Sequence, residues 1–486
     1  MAKHRLVPLA VGTNKATVWV GSFRESDPPT DLNLEWTEEG TGQITTKALS
    51  GTWTRGSAGP VGERQPRFKR VKMSSLKPGT VYRLKLTRPG RTKALASGRL
   101  ETLPHSLPSN SEERGFTVML GSCYDYLHDL DHQGKPGAVR RAYRALYGDP
   151  AKRPHVKFLV GDQVYLDLPG KSIFGLFINL TAKARRKKLR TRMSLKYENT
   201  WKRLGYLLSR GGTFFTADDH EYYNNYPNPS KNLIPLKHPG NRADYEKISQ
   251  RLYRNMQSNA LIQTFNIGNQ VSFMLADTRT GRTAGRFLPS GEMNQLLAWI
   301  NGLTCPSVLT LGQPVLDVPG TQEMHLPDFN QQFTRLEKAL VNAPHDVLVL
   351  TGDKHYGRIA SVARVGSQGS NGTLHEVMSS PMALSADPFD LPFTGALWIP
   401  GINKKPKRFP RGPRDFSRGA PVHYHHTVRA RDYAPPRTEE NFFTLAFSIL
   451  PNGRDVNVRI RAWLPRLKPR RGSLPVKDFV TDIVLR

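Results

Sequence analysis

The segment Val156-Lys-Phe-Leu-Val-Gly-Asp-Gln-Val-Tyr165 decides how the chain reads. Its first five residues form a short, mostly apolar run that stops at a glycine and gives way at once to Asp162 and Tyr165. Such a run, bounded by a turn residue, predicts a strand buried on both faces. The same grammar recurs on either side of it. Phe116-Thr-Val-Met-Leu120 runs into Gly121-Ser-Cys-Tyr-Asp125, and Thr213-Phe-Phe-Thr216 into Ala217-Asp-Asp-His-Glu221 followed by Asn224-Asn225. Asp346-Val-Leu-Val-Leu-Thr351 runs into Gly352-Asp-Lys-His355, and Val271-Ser-Phe-Met-Leu-Ala276 into Asp277-Thr-Arg279. Between these strands, helices are predicted near 137–147, 193–209, 242–262, 290–301 and 329–342. Strand–helix alternation of this kind predicts an α/β core with both sheet faces covered.

Outside that core the texture differs. Residues 1–104 carry short alternating strands, such as Thr17-Val-Trp-Val-Gly-Ser-Phe23, Leu32-Asn-Leu-Glu-Trp36 and Thr80-Val-Tyr-Arg-Leu-Lys-Leu86. Alternation with turn punctuation predicts a small all-β sandwich. A Pro- and Ser-rich linker is expected over 105–114, and the second unit over 115–486. Within that unit, the Pro-, Arg- and His-rich stretch 400–435 reads as a loop, including His423-Tyr-His-His426. Strands return at 442–450 and 456–463, joined through Asn452-Gly453, a hairpin signal.

With 486 residues the chain exceeds one ordinary core, so two or three domains are expected. No apolar run is long enough to cross a membrane as a helix, and the N-terminus lacks a signal-peptide core. As written, the protein is expected in the cytoplasm, or outside the cell if an export signal has been removed. Cys123 and Cys305 are too few for a disulfide framework. The 71 basic residues against 40 acidic give a formal charge of +31, which favours polyanionic partners: phosphorylated substrates, nucleic acid or anionic lipid. Basic runs stand at 64–72, 183–190 and 404–411.

Each polar cluster has a mundane explanation on its own. Cys123 could be a small buried residue, Asp162 a loop brace, Tyr165 packing and Asp218–Glu221 a solvated turn. Together they are harder to dismiss. In open α/β sheets ligands collect at the carboxyl ends of strands, and many buried carboxylates in one place repel one another unless a cation joins them. A multivalent metal cluster is the economical reading.

As a set, these motifs resemble the calcineurin-type metallophosphoesterases, specifically the alkaline phosphatase D (PhoD)-like metallophosphatases. Cysteine stands in the first motif (Gly121-Ser-Cys123), the second ends in tyrosine (Gly161-Asp-Gln-Val-Tyr165), the third reads Asp218-Asp-His-Glu221 with Asn224-Asn225, and the last is Gly352-Asp-Lys-His355. Ala217 departs from the tryptophan usual in the family. The resemblance covers most of the chain. It implies a four-layer metallophosphoesterase-like sandwich, two sheets flanked by helices, behind the N-terminal β-sandwich. It also implies an alkaline phosphatase or phosphodiesterase that hydrolyses phosphate monoesters or diesters by attack of a metal-activated hydroxide or oxide. The implied metals are Fe3+ and Ca2+, with other divalent ions possible. The implied ligands are Cys123, Asp162, Tyr165, Asp218, Asp219, Asn225, Asp353 and His355, with iron near the first three and Asp162 bridging. Which of Asp218 and Asp219 ligates is left open. His220 is the candidate leaving-group acid and Arg279 the candidate phosphate clamp, a structural salt bridge being the competing role for Arg279. The rival reading of the whole is a non-catalytic polyanion- or nucleic-acid-binding protein with a relict metal site.

Overall fold

The computed structural model describes residues 4–23, 31–60, 63, 65–91, 93–110, 114–131, 133–168, 181–229, 233–320, 323–365, 371–383, 413, 415–417, 419–429, 440–466, 476–478 and 482–486. The first eight strands are β1 (His4–Val11), β2 (Ala16–Ser22), β3 (Asn33–Glu38), β4 (Ile44–Ala48), β5 (Thr54–Arg55), β6 (Arg67–Met73), β7 (Val81–Thr87) and β8 (Ala96–Glu101). They form two four-stranded antiparallel sheets, ordered β1-β2-β6-β5 and β4-β3-β7-β8. Leu6, Val18, Val20 and Val71 from one sheet share a core with Leu34, Trp36, Leu84 and Leu100 from the other. The predicted alternation is what builds it: in β3 every second residue is buried.

The remaining strands are β9 (Phe116–Gly121), β10 (Val156–Val160), β11 (Gly212–Thr216), β12 (Ile262–Ile267), β13 (Val271–Ala276), β14 (Ser307–Leu311), β15 (Val347–Thr351), β16 (Tyr356–Val365), β17 (Asn371–Met378), β18 (Asp415–Phe416), β19 (Ala420–Arg429), β20 (Phe442–Ile449), β21 (Val456–Trp463), β22 (Val476–Asp478) and β23 (Ile483–Leu485). One sheet runs β11-β10-β9-β20-β21-β22, with β23 also on β21. The other runs β12-β13-β14-β15-β17-β16-β19-β18. Strands β9, β10 and β11 are mutually parallel, as are β13, β14, β15 and β17. The predicted hairpin pairs β20 with β21 from Phe442↔Trp463 to Ile449↔Val456, and Gly453 takes φ 69° in its turn.

Both faces of the central strands are buried. Val118, Leu120, Phe158 and Val160 of one sheet share a core with Phe273, Leu275, Val308 and Leu348 of the other. On the far side of the first sheet, Met119, Leu159 and Phe215 pack with helices α1 (Ala138–Gly148), α2 (Ala182–Arg203), α3 (Gly205–Leu208), α4 (Ile234–Lys237) and α5 (Pro239–Met256). On the far side of the second, Met274, Leu309 and Val349 pack with α6 (Ser290–Asn301) and α7 (Asn330–Val341). The helices bury the residues their spacing demands, as Leu189, Met193, Tyr197 and Trp201 do along α2.

Several boundaries differ from the sequence reading. Helix α2 begins at Ala182 rather than near 193, with Thr181 accepting the Ala184 amide as its cap. Helix α5 stops at Met256, and Ile262–Ile267 is a strand. The stretch 400–435 is not simply a loop: 420–429 is strand β19, paired antiparallel with β16. This places His423 and His425 on a sheet, where His425 Nε2 lies 2.6 Å from Ser361 Oγ. The run 404–411 lies outside the described residues. Strands β14, β16 and β17 carried no sequence prediction. Residues 107–110 lie along the core rather than free of it, with Leu107 N donating to Gln270 and Asn110 N to the Ile449 carbonyl. Both cysteines are free thiols, and no described helix is long and apolar enough to cross a membrane.

Candidate metal centre

The ends of β9, β10, β11 and β15 converge because glycine lets them. Gly161 has φ +85°, and a Cβ on it would lie 2.4 Å from the Asp218 Cβ. A Cβ on Gly352 would lie 2.4 Å from Ser122 Oγ and 3.0 Å from the Val160 carbonyl oxygen. Three strand ends therefore meet at Gly352 at a distance only hydrogen tolerates. Gly352→Ala is expected to destabilise the protein by about 1–3 kcal/mol through overpacking and to lower metal affinity by parting β9 from β15. Urea unfolding together with metal titration of the variant checks both effects.

The residues that follow the glycines hold unusual backbone. Among the described residues seven non-glycines have positive φ, and five of them are Cys123, Asp162, Asn225, Asp353 and His355. Left-handed backbone at non-glycine positions costs free energy and gathers at functional sites. Here it turns successive side chains inward. Cys123 Sγ lies 3.5 Å from Asp162 Oδ2 and 3.6 Å from the Asp353 carbonyl oxygen, and it accepts from Ser380 Oγ at 3.1 Å. Asp162, Asp219 and His220 offer ligand atoms within 4.8 Å of one another, and so do Asp218, Asp219, Glu323 and Asp353. Asp219 belongs to both groups and accepts the Asn225 amide at 2.6 Å. The Tyr165 ring lies over His220 with centroids 4.3 Å apart. His355 stands two residues after Asp353, its amide donating to Ser380 Oγ at 3.2 Å. All ten residues singled out in the sequence thus lie in one region.

Arg279 is only 1% exposed. Its Nε and Nη2 meet Asp218, Nη2 also meets Glu323 at 2.7 Å, and Nη1 donates to the Tyr226 carbonyl at 2.9 Å. Ala217, the family departure, is buried, its amide donating to Asp277 at 3.3 Å.

Three residues escaped the sequence reading of the site. Glu323 joins the acidic group from the segment after β14, where no strand end announced it. Asp167 holds His220 Nδ1 at 2.8 Å and the Asn224 amide at 2.8 Å. It stands two residues beyond Tyr165, and that position was its signal. Glu221 is the brace of the whole site. Its carboxylate accepts from the amides of Asp162 (2.8 Å), Gln163 (2.7 Å), Val164 (3.3 Å) and Asp218 (3.0 Å), so it binds the loop after β10 to the loop after β11. The Asp218-x-x-Glu221 spacing of a capping box was the clue to that role.

The electrostatics fit a multivalent cation. Tyr165 Oη and Asp218 Oδ2 are buried with no hydrogen-bond partner among the described residues, a costly state unless something else meets them. Burial and Asp219 push Asp162 well above the usual carboxylate range, and burial with Asp353 does the same to Asp218. Burial and Glu323 push Asp353 up to about 6. Burial, with Asp162 and Asp353, pushes the Cys123 thiol up, and burial, with Cys123, the Tyr165 phenol. Burial would lower His220, but Asp167, Asp219 and Asp162 outweigh it and hold the ring's pKa well above its ordinary value. Burial and His220 drive His355 down to about 4, leaving it a neutral donor at neutral pH. Left alone, these acids would keep protons; a cation offers each a better partner.

A purple acid phosphatase, PPD1, from yellow lupin (Lupinus luteus) seeds superposes on 99% of this chain and 73% of its own, with a TM-score of 0.50 at 11% identity. The two chains share a fold. Two other likenesses are slight: the fn3 domain of human collagen alpha-1(XX) covers 23% of this chain at 17% identity, and 88% of that domain is matched. The sensor domain of the anti-sigma factor RsgI4 of Pseudobacteroides cellulosolvens covers 21% at 12% identity, with 76% of that domain matched. Both have a TM-score of 0.15 and carry no weight. No family model matches the chain, and neither does any curated protein.

Proposed function

We propose that the chain is a metal-dependent phosphoesterase of the PhoD-like type, with its two large sheets and flanking helices forming the four-layer catalytic unit behind an N-terminal β-sandwich. One observation carries this reading: thiol, phenol, carboxylate and imidazole groups gather at strand ends, Cys123, Asp162, Asp353 and His355 on left-handed backbone, with Tyr165 Oη and Asp218 Oδ2 buried and without a hydrogen-bond partner among the described residues. Cys123, Asp162 and Tyr165 would hold Fe3+, since thiolate and phenolate suit a high-valent iron. Asp218, Asp219, Asn225, Asp353 and His355 would complete the cluster, with Glu323 beside them, the carboxylate and amide oxygens among them suiting Ca2+. When bound, such cations supply positive charge to phosphoryl oxygens and lower the pKa of a water.

The protein's own groups do the rest. Asp167 fixes His220 through Nδ1, which leaves Nε2 to hand a proton to the leaving oxygen. Glu221 keeps the two ligand loops in register. Arg279 has its guanidinium committed to Asp218, Glu323 and a carbonyl. We therefore assign it to positioning Asp218 rather than to clamping phosphate. His220 and Arg279 thus separate into a proton donor and a brace.

The test uses p-nitrophenyl phosphate as monoester and its bis ester as diester, before and after removal of metal with EDTA. Chelation is expected to abolish turnover, and iron with calcium to restore it. With oxidised iron the protein should be purple or brown, and the colour should vanish in Tyr165→Phe. A colourless protein with stoichiometric zinc would overturn the iron assignment and spare the phosphoesterase. A protein indifferent to metals that still binds polyanions would return the relict-site reading.

A further inference from the structure

The basic charge is unevenly distributed. Helix α2 carries ten Lys and Arg against a single Glu, whereas α6 carries one Glu and no base, and α7 only Arg335, Glu337 and Lys338. The helices over the first sheet are therefore strongly basic and those over the second nearly neutral. The first turn of α2 has no acid. Its cations crowd the positive end of the helix dipole, where each is unfavourable, and like charges four residues apart, as at Lys183 and Lys187, oppose the helix again. Asp244 meets Arg185 at 2.6 Å and Arg186 at 3.6 Å, and Glu63 meets Arg190 at 2.7 Å. Lys183, Arg186 and Lys187 remain exposed. A helix that breaks its own electrostatic rules in this way is usually serving something outside itself.

The same helix leads to the metal centre. Arg192 Nη2 reaches the Leu168 carbonyl at 3.4 Å, one residue from the Asp167 that holds His220. Further along, Lys196, itself buried, lies over the ring of Tyr126, 5.5 Å from its centroid, and Asn199 donates to the Tyr126 hydroxyl at 3.4 Å. Across the site Tyr226, whose carbonyl receives Arg279, stacks on Tyr222 with centroids 4.2 Å apart. Both Tyr126 and Tyr226 are half-buried.

We infer that α2 is a docking track for single-stranded nucleic acid, which delivers a phosphodiester to the metal centre. The inference rests on the phosphoesterase reading for its catalytic half. The helix is about 33 Å long at 1.5 Å per residue, and cations along a groove with aromatic rings for bases are what an unpaired strand requires. A bilayer fits less well. An interfacial helix must turn an apolar face into lipid, and the apolar face of α2 (Leu189, Met193, Tyr197, Trp201) is already buried in the protein core.

The test measures binding of a fluorescent, phosphorothioate-linked oligothymidylate to the full chain, so that hydrolysis does not intrude. The logarithm of the affinity should fall linearly with the logarithm of salt. The double substitution Lys183→Glu, Lys187→Glu should weaken binding about tenfold and shallow the slope by about 1.4, two single-strand contacts' worth. Turnover of p-nitrophenyl phosphate should be unchanged. The acidic replacements favour the helix dipole, so a folding defect is not expected, and thermal melting verifies this. Equal affinity of variant and wild type overturns the inference. So does preferential binding of phosphatidylglycerol vesicles, or of inorganic polyphosphate, that the oligonucleotide fails to displace. If binding and its charge dependence hold but no phosphate ester is cleaved, the phosphoesterase reading falls and the docking track stands.

Discussion

Replacing Asp162 with Asn should cut turnover of an aryl phosphate at least a thousandfold while raising the melting temperature of the metal-free protein. The two effects share one cause. Asp162 is 1% exposed, with Oδ1 accepting the His220 amide at 3.1 Å and Oδ2 facing the Cys123 thiol at 3.5 Å. Without a cation, burial and Asp219 make its negative charge costly. Asparagine keeps the shape and the oxygen for His220 but removes that charge, so the metal-free fold gains. It also removes a carboxylate that lies against the Cys123 thiol and beside Asp219, so under the proposed function the metal-loaded state loses. A thousandfold loss corresponds to about 4 kcal/mol of transition-state stabilisation, within the range expected of a metal clamp. The wild type should gain melting temperature when metal is added and the variant little, since stabilisation follows differential binding. His355→Ala should lose turnover as well. Near-wild-type rates in both variants would show that the site has been assigned wrongly.

Two buried carboxyls should make part of the metal-free protein's stability fall as pH rises. Burial raises Asp353 to about 6 and Glu221 to about 7, above their unfolded values. At these two positions the folded state holds more protons than the unfolded one between about pH 4 and pH 7, so their contribution to stability should fall as pH rises through that window, whereas His355, driven down to about 4, works in the opposite sense. Metal favours the deprotonated carboxylates and should remove the decline. Urea midpoints at pH 4.5 and 7.5, with and without EDTA, make the comparison.

How far the sequence carried the reading depends on what each element needs from its neighbours. Strands β9, β10, β11, β13 and β15 are apolar on both faces, so they announce themselves in any context. Strand β19 does not. Its sequence, Ala420-Pro-Val-His-Tyr-His-His-Thr-Val-Arg429, begins with a proline and carries three histidines, and only its pairing with β16 makes it a strand. Strand propensity of that kind lies in the partner rather than in the segment. Helix α2 was read too short because its apolar stripe starts at Leu189, whereas Thr181 and a run of good helix-forming cations carry the helix back to Ala182. The ligands were legible because cysteine, tyrosine and paired acids are conspicuous just after an apolar run. Glu323 was not, since it arrives from a segment with no periodicity. The role of Arg279 was open in the sequence because an arginine serves phosphate and carboxylate equally well; its neighbours in the fold are carboxylates and a carbonyl.

Glu221→Ala should behave in the opposite sense to Asp162→Asn, destabilising the metal-free protein by at least about 3 kcal/mol, as expected when several buried amides lose their acceptor. Glu221 is fully buried and, like Asp162, is raised by burial. Its surroundings differ. Oε2 accepts from Asp162 N and Asp218 N, while Oε1 accepts from Gln163 N, Val164 N and the Gln257 side chain, 3.3 Å away. An alanine leaves four backbone donors facing a void. Glutamine fares little better, because whichever way its amide turns, an NH2 faces donors that need an oxygen. Both variants should lower the urea midpoint with little change in slope. Both should also weaken metal binding, although Glu221 appears in neither group of converging ligand atoms. Binding weakens because the loops carrying Asp162 and Asp218 lose their common anchor, and a displacement of 1 Å is costly at a site of this kind. Wild-type stability and metal affinity in Glu221→Ala would reduce the residue to a bystander. The pair of substitutions thus separates two kinds of buried acid within one cluster: Glu221, whose oxygens meet four backbone amides, and Asp162, which meets one amide and a thiol.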